Sequence, residues 1–456
     1  MKNKHPIKAV RLEFIPQIIL LFFCFYFPYN LKSQNTGQMN LQKLLYQNGD
    51  EKSSDTVTMS LKEAESLLIK NNLMLIAQQY NIDLARAQVL QAKLWDNPTL
   101  YMETNPKNSV SGQWFKYYDA SNPSGSEVLW SLNQVIKTAG KRSNLVKLNK
   151  INATIAEDIY YDIMRSLKFS LRSDYFMMLQ FQQGLQLLET ELNSMNRLVE
   201  NVKIQVEKGM LPKKDLLRLQ ALSFDIQNNI RDFITQRSNA ESEFKTIIGL
   251  PARVYVVAVK EEARLEVAQV PVMDTLAQSV LDNRPDLKAA YAQVDAAKMN
   301  LKLQRSYGYP DFALTFNYTR YSNFIPNYYG VGLGLPLPLL NRNQGNIKTA
   351  KFAIQSQQAT YDNMVRDALN DLNASLKQLN KYQDIYKNFN KPFEKEYSEY
   401  FSGLTKNYEQ RNIGLIEFID FFEDYRNTKL AIYNLEQDYM QAKEQVNFSV
   451  GKEIIK

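Results

Sequence analysis

Three carboxylates near the C-terminus have the spacing of a shared chemical surface. Glu417 and Asp420 lie three positions apart, and Asp424 follows four positions later. Residues three and four positions apart share one face of an α-helix, so these side chains predict a negatively charged stripe. Repeated around an aperture, such a stripe would favour cations over anions. The alternative interpretation is an acidic helix face that only contacts water.

Histidine and cysteine, the usual residues of nucleophilic catalysis and metal binding, each occur once, as His5 and Cys24. Both lie in an N-terminal segment that we expect to be removed. The remaining chain would have no imidazole and no thiol, which excludes a Ser-His-Asp triad, a cysteine nucleophile, a Cys/His zinc site and iron–sulfur ligation. Only carboxylate, lysine, tyrosine and serine or threonine chemistry would remain, so an enzyme that uses paired carboxylates stays open as an alternative. We expect a protein that is not an enzyme, with no catalytic residue, no cofactor and no metal site.

Residues 1–33 are predicted to form a secretory signal peptide. Four basic residues among the first 11 precede an apolar stretch at 18–29, and Ser33 offers a small residue for cleavage. The stretch is shorter than the roughly 18 residues that span a bilayer, although an uncleaved anchor remains the alternative. Removal of this segment lowers the net charge from +7 to +3. Because little basic charge then remains, we expect no nucleic-acid partner.

The rest of the chain is predicted to be an internal duplication. Residues 71–105 match residues 283–317 at a constant offset of 212, and seven positions are identical. Around residue 209 the offset becomes 202, and the order of predicted elements is kept. Long-range similarity of this kind indicates two copies of one structural unit. The predicted divisions are an N-terminal extension at 34–60, repeat 1 at 61–249, a linker or equatorial segment at 250–272 and repeat 2 at 273–456.

Each repeat is predicted to contain a helix, a β-hairpin, a long helix, a tight turn that we call the tip, and a last helix. We expect the first helix of each repeat to be unbroken. A proline follows its predicted end, which is residue 94 in repeat 1 and residue 307 in repeat 2. The predicted boundaries are helices at 61–94 and 273–307, hairpins at about 98–136 and 310–338, and tips at about 208–214 and 409–416.

The long helix of repeat 1 has a heptad pattern. Apolar residues recur every seven positions from Met164 to Val206, and the position three residues later is also apolar except at Asp174. A sustained seven-residue period predicts a left-handed coiled coil. Residues 142–207 would form a rod about 100 Å long at a rise of 1.5 Å per residue.

The hairpins alternate in polarity with a period of two. From Phe312 to Tyr318 every second residue is large and apolar, and from Tyr329 to Leu335 large residues alternate with glycine. This alternation is typical of outer-membrane β-barrels, although a single hairpin could also pack its apolar face in a soluble protein. Tyrosines and a phenylalanine near the hairpin loop have the composition of an interfacial girdle, namely Tyr321, Phe324, Tyr328 and Tyr329. Four strands cannot close a barrel and lipid tolerates no open edge, so we expect an oligomer.

The chain resembles the TolC family of outer-membrane efflux proteins over residues 56–450. The residues that carry the resemblance are Asn-Arg-Pro-Asp-Leu at 283–287, Leu-Pro-Leu-Pro at 335–338 and Asn-Arg-Asn-Gln-Gly-Asn-Ile at 341–347. The motif at 341–347 is most similar to the heavy-metal branch, which is CzcC- and CusC-like. The resemblance implies a mostly α protein with a membrane β-barrel. It implies a homotrimer in which twelve strands form one outer-membrane barrel, continued by a long periplasmic α-helical barrel.

The resemblance also implies a function and partners. The expected role is a passive exit duct for substrate exported by an inner-membrane pump, of the RND type, through a periplasmic adaptor or membrane fusion protein. Cations or heavy metals are one expected substrate class, although the sequence does not identify the substrate. The alternative that the heptads leave open is a structural coiled-coil protein of the envelope without a pore.

Two groups of residues receive roles from the resemblance. Glu417, Asp420 and Asp424 would form stacked acidic rings as a gate at the periplasmic end. Arg411 occupies the position of Gly209 in the other repeat, so we expect the two tip turns to differ. The tips would contact the adaptor through Gly209, Met210, Leu211, Pro212, Asn412, Ile413 and Gly414.

Overall fold

The computed structural model describes residues 56–107, 112–114, 127–260, 266, 269, 271–320, 325, 327–388 and 391–455. The predicted signal peptide and residues 34–55 of the N-terminal extension lie outside the described residues. So do Tyr321 and Phe324 of the predicted aromatic girdle.

The first half of the chain contains two short strands, one long strand and four helices in the described ranges. Their order is β1 (Thr56–Met59), α1 (Leu61–Asn71), α2 (Leu73–Lys93), β2 (Thr99–Thr104), β3 (Val128–Ile136), α3 (Lys141–Glu207) and α4 (Lys213–Ile248). A capping box at the start of α1 joins Ser60 to Glu63 in both directions, and the lowered pKa of Glu63 follows from these hydrogen bonds.

The second half repeats this order after one short strand. It contains β4 (Tyr255–Ala258), α5 (Met273–Asn283), α6 (Pro285–Ser306), β5 (Phe312–Arg320), β6 (Asn327–Gly334), α7 (Gln344–Asn388), α8 (Lys391–Glu409) and α9 (Leu415–Val450). The second long helix is described up to Asn388 and again from Lys391, whereas α3 is described without a gap. At 1.5 Å per residue, α3 is about 100 Å long.

The prediction of one unbroken first helix in each repeat is wrong. The helix breaks at Asn72 (φ −66, ψ 116) and at Arg284 (φ −68, ψ 117), which stand at equivalent positions. Arg284 precedes Pro285, and a residue before proline is driven out of the α region by steric clash. Asn72 has no such neighbour. Its side chain instead accepts a hydrogen bond from Leu75 N–H and caps α2.

Both breaks are held by the last helix of the same repeat. The Asn72 side chain donates to the carbonyl oxygen of Ile247 at 2.8 Å, and Arg284 donates to that of Ser449 at 3.4 Å. Ile247 and Ser449 are also equivalent by the offset of 202. The duplication predicted from sequence is thus repeated in the hydrogen bonds of the fold.

Next to each of these contacts, a glycine lets the last helix approach the break closely. Gly249 ends α4 and Gly451 ends α9, both with a left-handed backbone (φ 69 and φ 80). A Cβ atom on Gly451 would lie 2.9 Å from Cα of Arg284, and one on Gly249 would lie 3.0 Å from Cβ of Asn71. Only glycine fits both the backbone conformation and the close approach.

We call the bundled long helices the rods. The core of the rods lies where α3 packs on α4 and on α9. The predicted positions Leu188, Met195 and Val202 are at most 2% exposed. The intervening positions Glu191 and Leu198 are equally buried, so the buried seam follows alternating steps of three and four. Aromatic rings join α8 to α9 next to this seam, including the stacked pair of Phe401 and Tyr425 and the tilted pairs Tyr408–Phe418 and Phe401–Phe422.

The strands from both halves form one antiparallel sheet in the order β2-β3-β5-β6. The central pairing joins the halves, with Val128 opposite Arg320 and Ile136 opposite Phe312. Strands β1 and β4 pair in parallel elsewhere and also join the halves. No described helix contains a stretch long and apolar enough to cross a membrane.

Candidate functional site

One face of the sheet is a continuous apolar surface. The register places Leu132, Phe316 and Val331 side by side in one row, and Trp130, Tyr318 and Tyr329 in another. Val331 is 78% exposed. Exposed apolar surface of this extent marks an interaction site, and the alternation that defines it is the one predicted from sequence.

The opposite face carries small and polar side chains. Asn133, Thr315 and Gly332 lie in one row, and Ser131, Asn317 and Gly330 lie in the next. This difference between the faces fits a sheet with lipid on one side and water on the other.

Both outer strands of this sheet have an open edge. Within the described residues, β2 pairs only with β3 and β6 pairs only with β5. An open edge exposes a row of backbone N–H and C=O groups, which lipid cannot satisfy. The sheet therefore requires another chain at each edge if it spans a membrane.

The connections between strands and helices are fixed by polar contacts. Lys141, at the start of α3, forms an ion pair with Asp311 at 2.7 Å and also donates to the Tyr309 carbonyl oxygen at 2.7 Å. The N–H of Thr138 donates to Asp311 at 2.8 Å. These contacts hold the start of α3 to the start of β5, so the sheet and the rods cannot move independently there.

The motif at 341–347 is the helix cap between β6 and α7. Asn343 has a left-handed backbone (φ 60), and its carbonyl oxygen accepts from Ile347 N–H. Its side chain donates to the carbonyl oxygen of Gln304 on α6 at 2.7 Å and accepts from Asn346 at 2.6 Å. Asparagine tolerates this backbone better than most residues, which explains its place in the motif.

The motif at 283–287 connects α6 to the end of α9. Arg284 binds both carboxylate oxygens of Asp286, at 2.6 and 3.1 Å. Arg165 on α3 lies 3.6 Å from Asp286 and donates to the Phe448 carbonyl oxygen at 2.6 Å. Burial opposes ionisation of Asp286, but these arginines lower its pKa below the ordinary value. The motif thus has a structural role in this fold.

The prediction that the two tip turns differ is wrong for their backbones. Gly209 has φ 71 and Arg411 has φ 61. In the first turn, Met210 N–H donates to the Gln205 carbonyl oxygen at 2.9 Å; in the second, Asn412 N–H donates to Asn407 at 2.9 Å. Both helices end in a Schellman-type motif. The hydrogen bonds of this motif impose a left-handed backbone on Arg411, as they do on Gly209 at the equivalent position of the other repeat.

The predicted contact residues lie at these turns. Met210 is 60% exposed, whereas Leu211 and Ile413 are partly buried against the core of the rods. Pro212 and Gly414 occupy the N-cap positions of α4 and α9. The structure therefore brings the two turns side by side, with a groove between them lined by Leu211, Tyr408, Arg411 and Ile413.

Tyr408 lies at the bottom of this groove. It is 9% exposed, and its hydroxyl has no hydrogen-bond partner among the described residues. Burial raises its pKa, and the negative charge of Asp215 adds to the effect. We call the surface formed by both turns and this groove the tip surface.

The three carboxylates of the predicted gate share the exposed side of α9. Glu417, Asp420 and Asp424 are exposed, while Phe418 and Phe422 on the other side are buried. None of the three carboxylates forms an ion pair with another described residue. Burial raises the pKa of Tyr397 on α8, and the charge of Asp424 adds to it, which places that carboxylate towards α8.

A buried charge cluster between α3, α4 and α9 was not predicted. Glu191 is 2% exposed, and neither of its carboxyl oxygens has a hydrogen-bond partner. Burial raises its pKa to about 8, against the opposing effect of Arg426. Arg426 is itself buried and pairs with Asp225 at 3.0 Å. The available signal was a glutamate three positions after Leu188, one helical turn along the same seam.

A second buried carboxyl group lies at Asp174, the one polar residue in the predicted heptad. It is 7% exposed, and burial together with the charge of Glu243 raises its pKa to about 7. In the part of the chain that the structure describes, no group of three or more His, Cys, Asp or Glu residues is placed to hold a metal ion.

Comparison with known proteins agrees with these features. The sequence profile of the family described as "Outer membrane efflux protein" matches residues 65–250 and 276–452. The chain is 20% identical over 295 residues to the cobalt-zinc-cadmium resistance protein CzcC of Cupriavidus metallidurans, an alignment that covers 64% of this chain and 66% of CzcC. The chain spans between 53% and 66% of the length of the curated relatives it matches.

Solved structures share the fold. A structure of CusC aligns with a TM-score of 0.67 at 18% identity, covering 86% of this chain and 92% of CusC. The CmeC outer membrane channel of Campylobacter jejuni aligns with a TM-score of 0.70 at 16% identity, covering 86% of each chain. The match to this family confirms the predicted outer-membrane location. The two profile matches together span most of the chain, which therefore belongs to the family of outer membrane efflux proteins that includes the TolC-like channels.

Proposed function

We propose that this chain is the outer-membrane exit duct of a tripartite efflux system. It acts as a homotrimer and conducts substrate passively. The substrate arrives from an inner-membrane pump of the RND type through a periplasmic adaptor.

The observation that carries this proposal is the four-stranded sheet with two open edges and one apolar face. Its apolar face fits lipid, and its open edges fit the edges of identical sheets in neighbouring chains. Three copies would supply twelve strands, which is enough to close a barrel around a water-filled interior. Rods about 100 Å long would continue the duct into the periplasm.

Two measurements test the duct. The mass of the purified protein in detergent should equal three chains, and reconstitution in planar bilayers should give single-channel currents. A monomer or dimer would contradict the proposed assembly. A stable trimer that conducts no ions would instead favour the alternative of a structural coiled-coil protein.

We assign adaptor docking to the tip surface, because Met210 is 60% exposed there and a groove lies beside it between the two turns. Cys24 is the only native cysteine, so introduced thiols are specific probes. Met210→Cys and Ile413→Cys should crosslink to the adaptor that is co-expressed with this chain. The matched control is Asp232→Cys, an exposed position in the middle of α4. Crosslinks from the control position alone would contradict docking at the tips.

We assign the gate to Glu417 and Asp420, with Asp424 as a further acidic position. Around a three-fold axis these exposed carboxylates would repel one another and attract divalent cations that bridge them. Glu417→Ala together with Asp420→Ala should weaken divalent block of the current and cation selectivity. The control Asp232→Ala removes an exposed carboxylate elsewhere on the rod and should change neither property. Unchanged block in the double variant would contradict the gate.

We propose heavy-metal cations as the substrate class. The supporting observations are the similarity to a cobalt-zinc-cadmium resistance protein and the acidic stripe on α9. Cells that express the chain with its co-expressed pump should accumulate less cobalt, zinc or cadmium than cells with the pump alone. Lowered accumulation of organic dyes, with unchanged metal content, would contradict this substrate class while leaving the duct intact.

A further inference from the structure

The polar face of the sheet carries a single charged side chain. The register places Glu103 of β2 on this face, in a row with Leu129, Thr319 and Tyr328. Every other residue that the register puts on this face of the four described strands is uncharged. Because the opposite face is apolar, this is the face that would meet water in a barrel. One carboxylate per chain therefore sets the charge of that wall.

The Glu103 carboxylate is open to solution. The residue is exposed, and among the described residues no lysine or arginine lies within ion-pair distance of it. The hydroxyl of Tyr101, two positions earlier on the same face, donates to Oε2 of Glu103 at 3.1 Å and orients the carboxylate along the wall. Helix α2 precedes the start of β2, and Glu103 is the last residue of this face before the end of the strand. Glu103 thus lies at the end of the sheet that is remote from the rods.

Three copies of this position would form a ring. Twelve strands about 4.8 Å apart and tilted by about 40° close a barrel with a radius of about 12 Å. Three-fold symmetry puts the three glutamates at one height, whichever way the neighbouring edges pair. Their carboxylates would stand more than about 10 Å apart, too far to coordinate one metal ion, whose oxygen ligands lie within about 2.6 Å. The Debye length at 0.1 M salt is also about 10 Å, so their fields would still overlap at the axis.

We infer that Glu103 forms a second cation-selective ring at the outer end of the duct, and that cations pass this ring with their water shells intact. The ring attracts cations and repels anions through its field, without direct coordination. It lies about 100 Å from the acidic stripe of α9, which is at the other end of the rods. The inference rests on the proposed trimeric duct, and it makes Glu103 a residue that determines which charge the barrel admits.

Reversal potentials of single channels in planar bilayers test the ring. Glu103→Gln removes the charge and keeps the shape of the side chain. At 0.1 M KCl the cation-to-anion permeability ratio should fall by about fivefold, and at 1 M KCl, where the Debye length is about 3 Å, it should hardly change. The matched control Asp232→Asn removes an exposed charge from α4 and should leave the ratio unchanged. Divalent block from the periplasmic side, which we assign to Glu417 and Asp420, should also stay unchanged in Glu103→Gln.

Charged thiol reagents test the same position by a second route. In a Cys24→Ser background, Glu103→Cys should have a lowered permeability ratio. A negatively charged, water-soluble methanethiosulfonate should restore the wild-type ratio, and a positively charged one should lower the ratio further. Met102→Cys, one position earlier and on the apolar face, is the matched control. Neither reagent should change its permeability ratio.

The outcomes separate the ring from the duct. An unchanged permeability ratio in Glu103→Gln at 0.1 M KCl overturns the inference, and so does a Glu103→Cys variant whose ratio neither reagent changes. In both cases a conducting trimer would leave the proposed duct standing. The absence of any current from the wild-type trimer would overturn the duct and the ring together.

Discussion

Replacement of the buried Glu191 by glutamine should stabilise the rods and remove part of their dependence on pH. Glu191 has a folded-state pKa of about 8, whereas the ordinary pKa of a glutamate side chain is 4.5. The raised pKa means that the folded state holds a proton which the unfolded state loses at lower pH. Stability is therefore highest below pH 4.5 and falls as the pH rises towards 8.

The magnitude follows from the two pKa values. At pH 7 the penalty for keeping Glu191 protonated is about 3 kcal/mol, and from pH 7 to pH 9 it grows by about 1.4 kcal/mol per chain. Glu191→Gln keeps the shape of the neutral acid and cannot ionise. The variant should therefore be more stable at pH 7, and this part of its stability should not change up to pH 9.

Hydrogen exchange of the α3 and α9 amides near the site measures the effect, after correction for the intrinsic exchange rate at each pH. Asp174→Asn is the matched control. Asp174 has a folded-state pKa of about 7, so most of its penalty is already present at pH 7 and grows by only about 0.4 kcal/mol up to pH 9. The control should keep the wild-type slope in this range. Constant or rising protection of wild-type α3 from pH 7 to 9 would refute the reasoning, because it would mean that Glu191 is ionised and paired with Arg426.

Three further substitutions test the turns and helix ends. Gly451→Ala should lower the free energy of unfolding by about 2–4 kcal/mol, because the new Cβ atom would meet Arg284 at a residue with a left-handed backbone. Gly414→Ala is the control: Gly414 has open space around it, so this substitution should hardly change the free energy of unfolding. Thermal or denaturant unfolding measures both. Arg411→Gly should stabilise by about 0.5–1 kcal/mol, since relief of the left-handed arginine outweighs the greater freedom of glycine in the unfolded chain. An equal midpoint for Gly451→Ala and the wild type, or a lowered midpoint for Arg411→Gly, would contradict these assignments.

The periodic parts of the fold could be predicted from the sequence. The two-residue alternation of Phe312 to Tyr318 is a local property, and it identified the apolar face that the register then extends across four strands. The offsets of 212 and 202 identified the duplication, because equivalent positions face equivalent neighbours. The same logic placed the three carboxylates on one side of α9.

The parts that could not be predicted depend on contacts between distant residues. Asn72 lies in a run of helix-forming residues, and it ends a helix because the Ile247 carbonyl oxygen holds its side chain. From its residue type, Glu191 would be predicted to be exposed to solvent. It is buried because α9, which carries Arg426, packs over it. The left-handed backbone of Arg411 follows from the hydrogen bonds at the end of its helix. The residue type alone would predict the opposite, because arginine disfavours this backbone conformation.

The continuity of α3 gives the chain one strut between the sheet and the tip surface. A single helix of 67 residues resists bending along its whole length. Its first residue, Lys141, is held to Asp311 at the start of β5, and its last residue, Glu207, adjoins the tip turn at Gly209. A load applied at the tip surface would therefore be carried along α3 to the sheet, and the distance between the two would stay fixed.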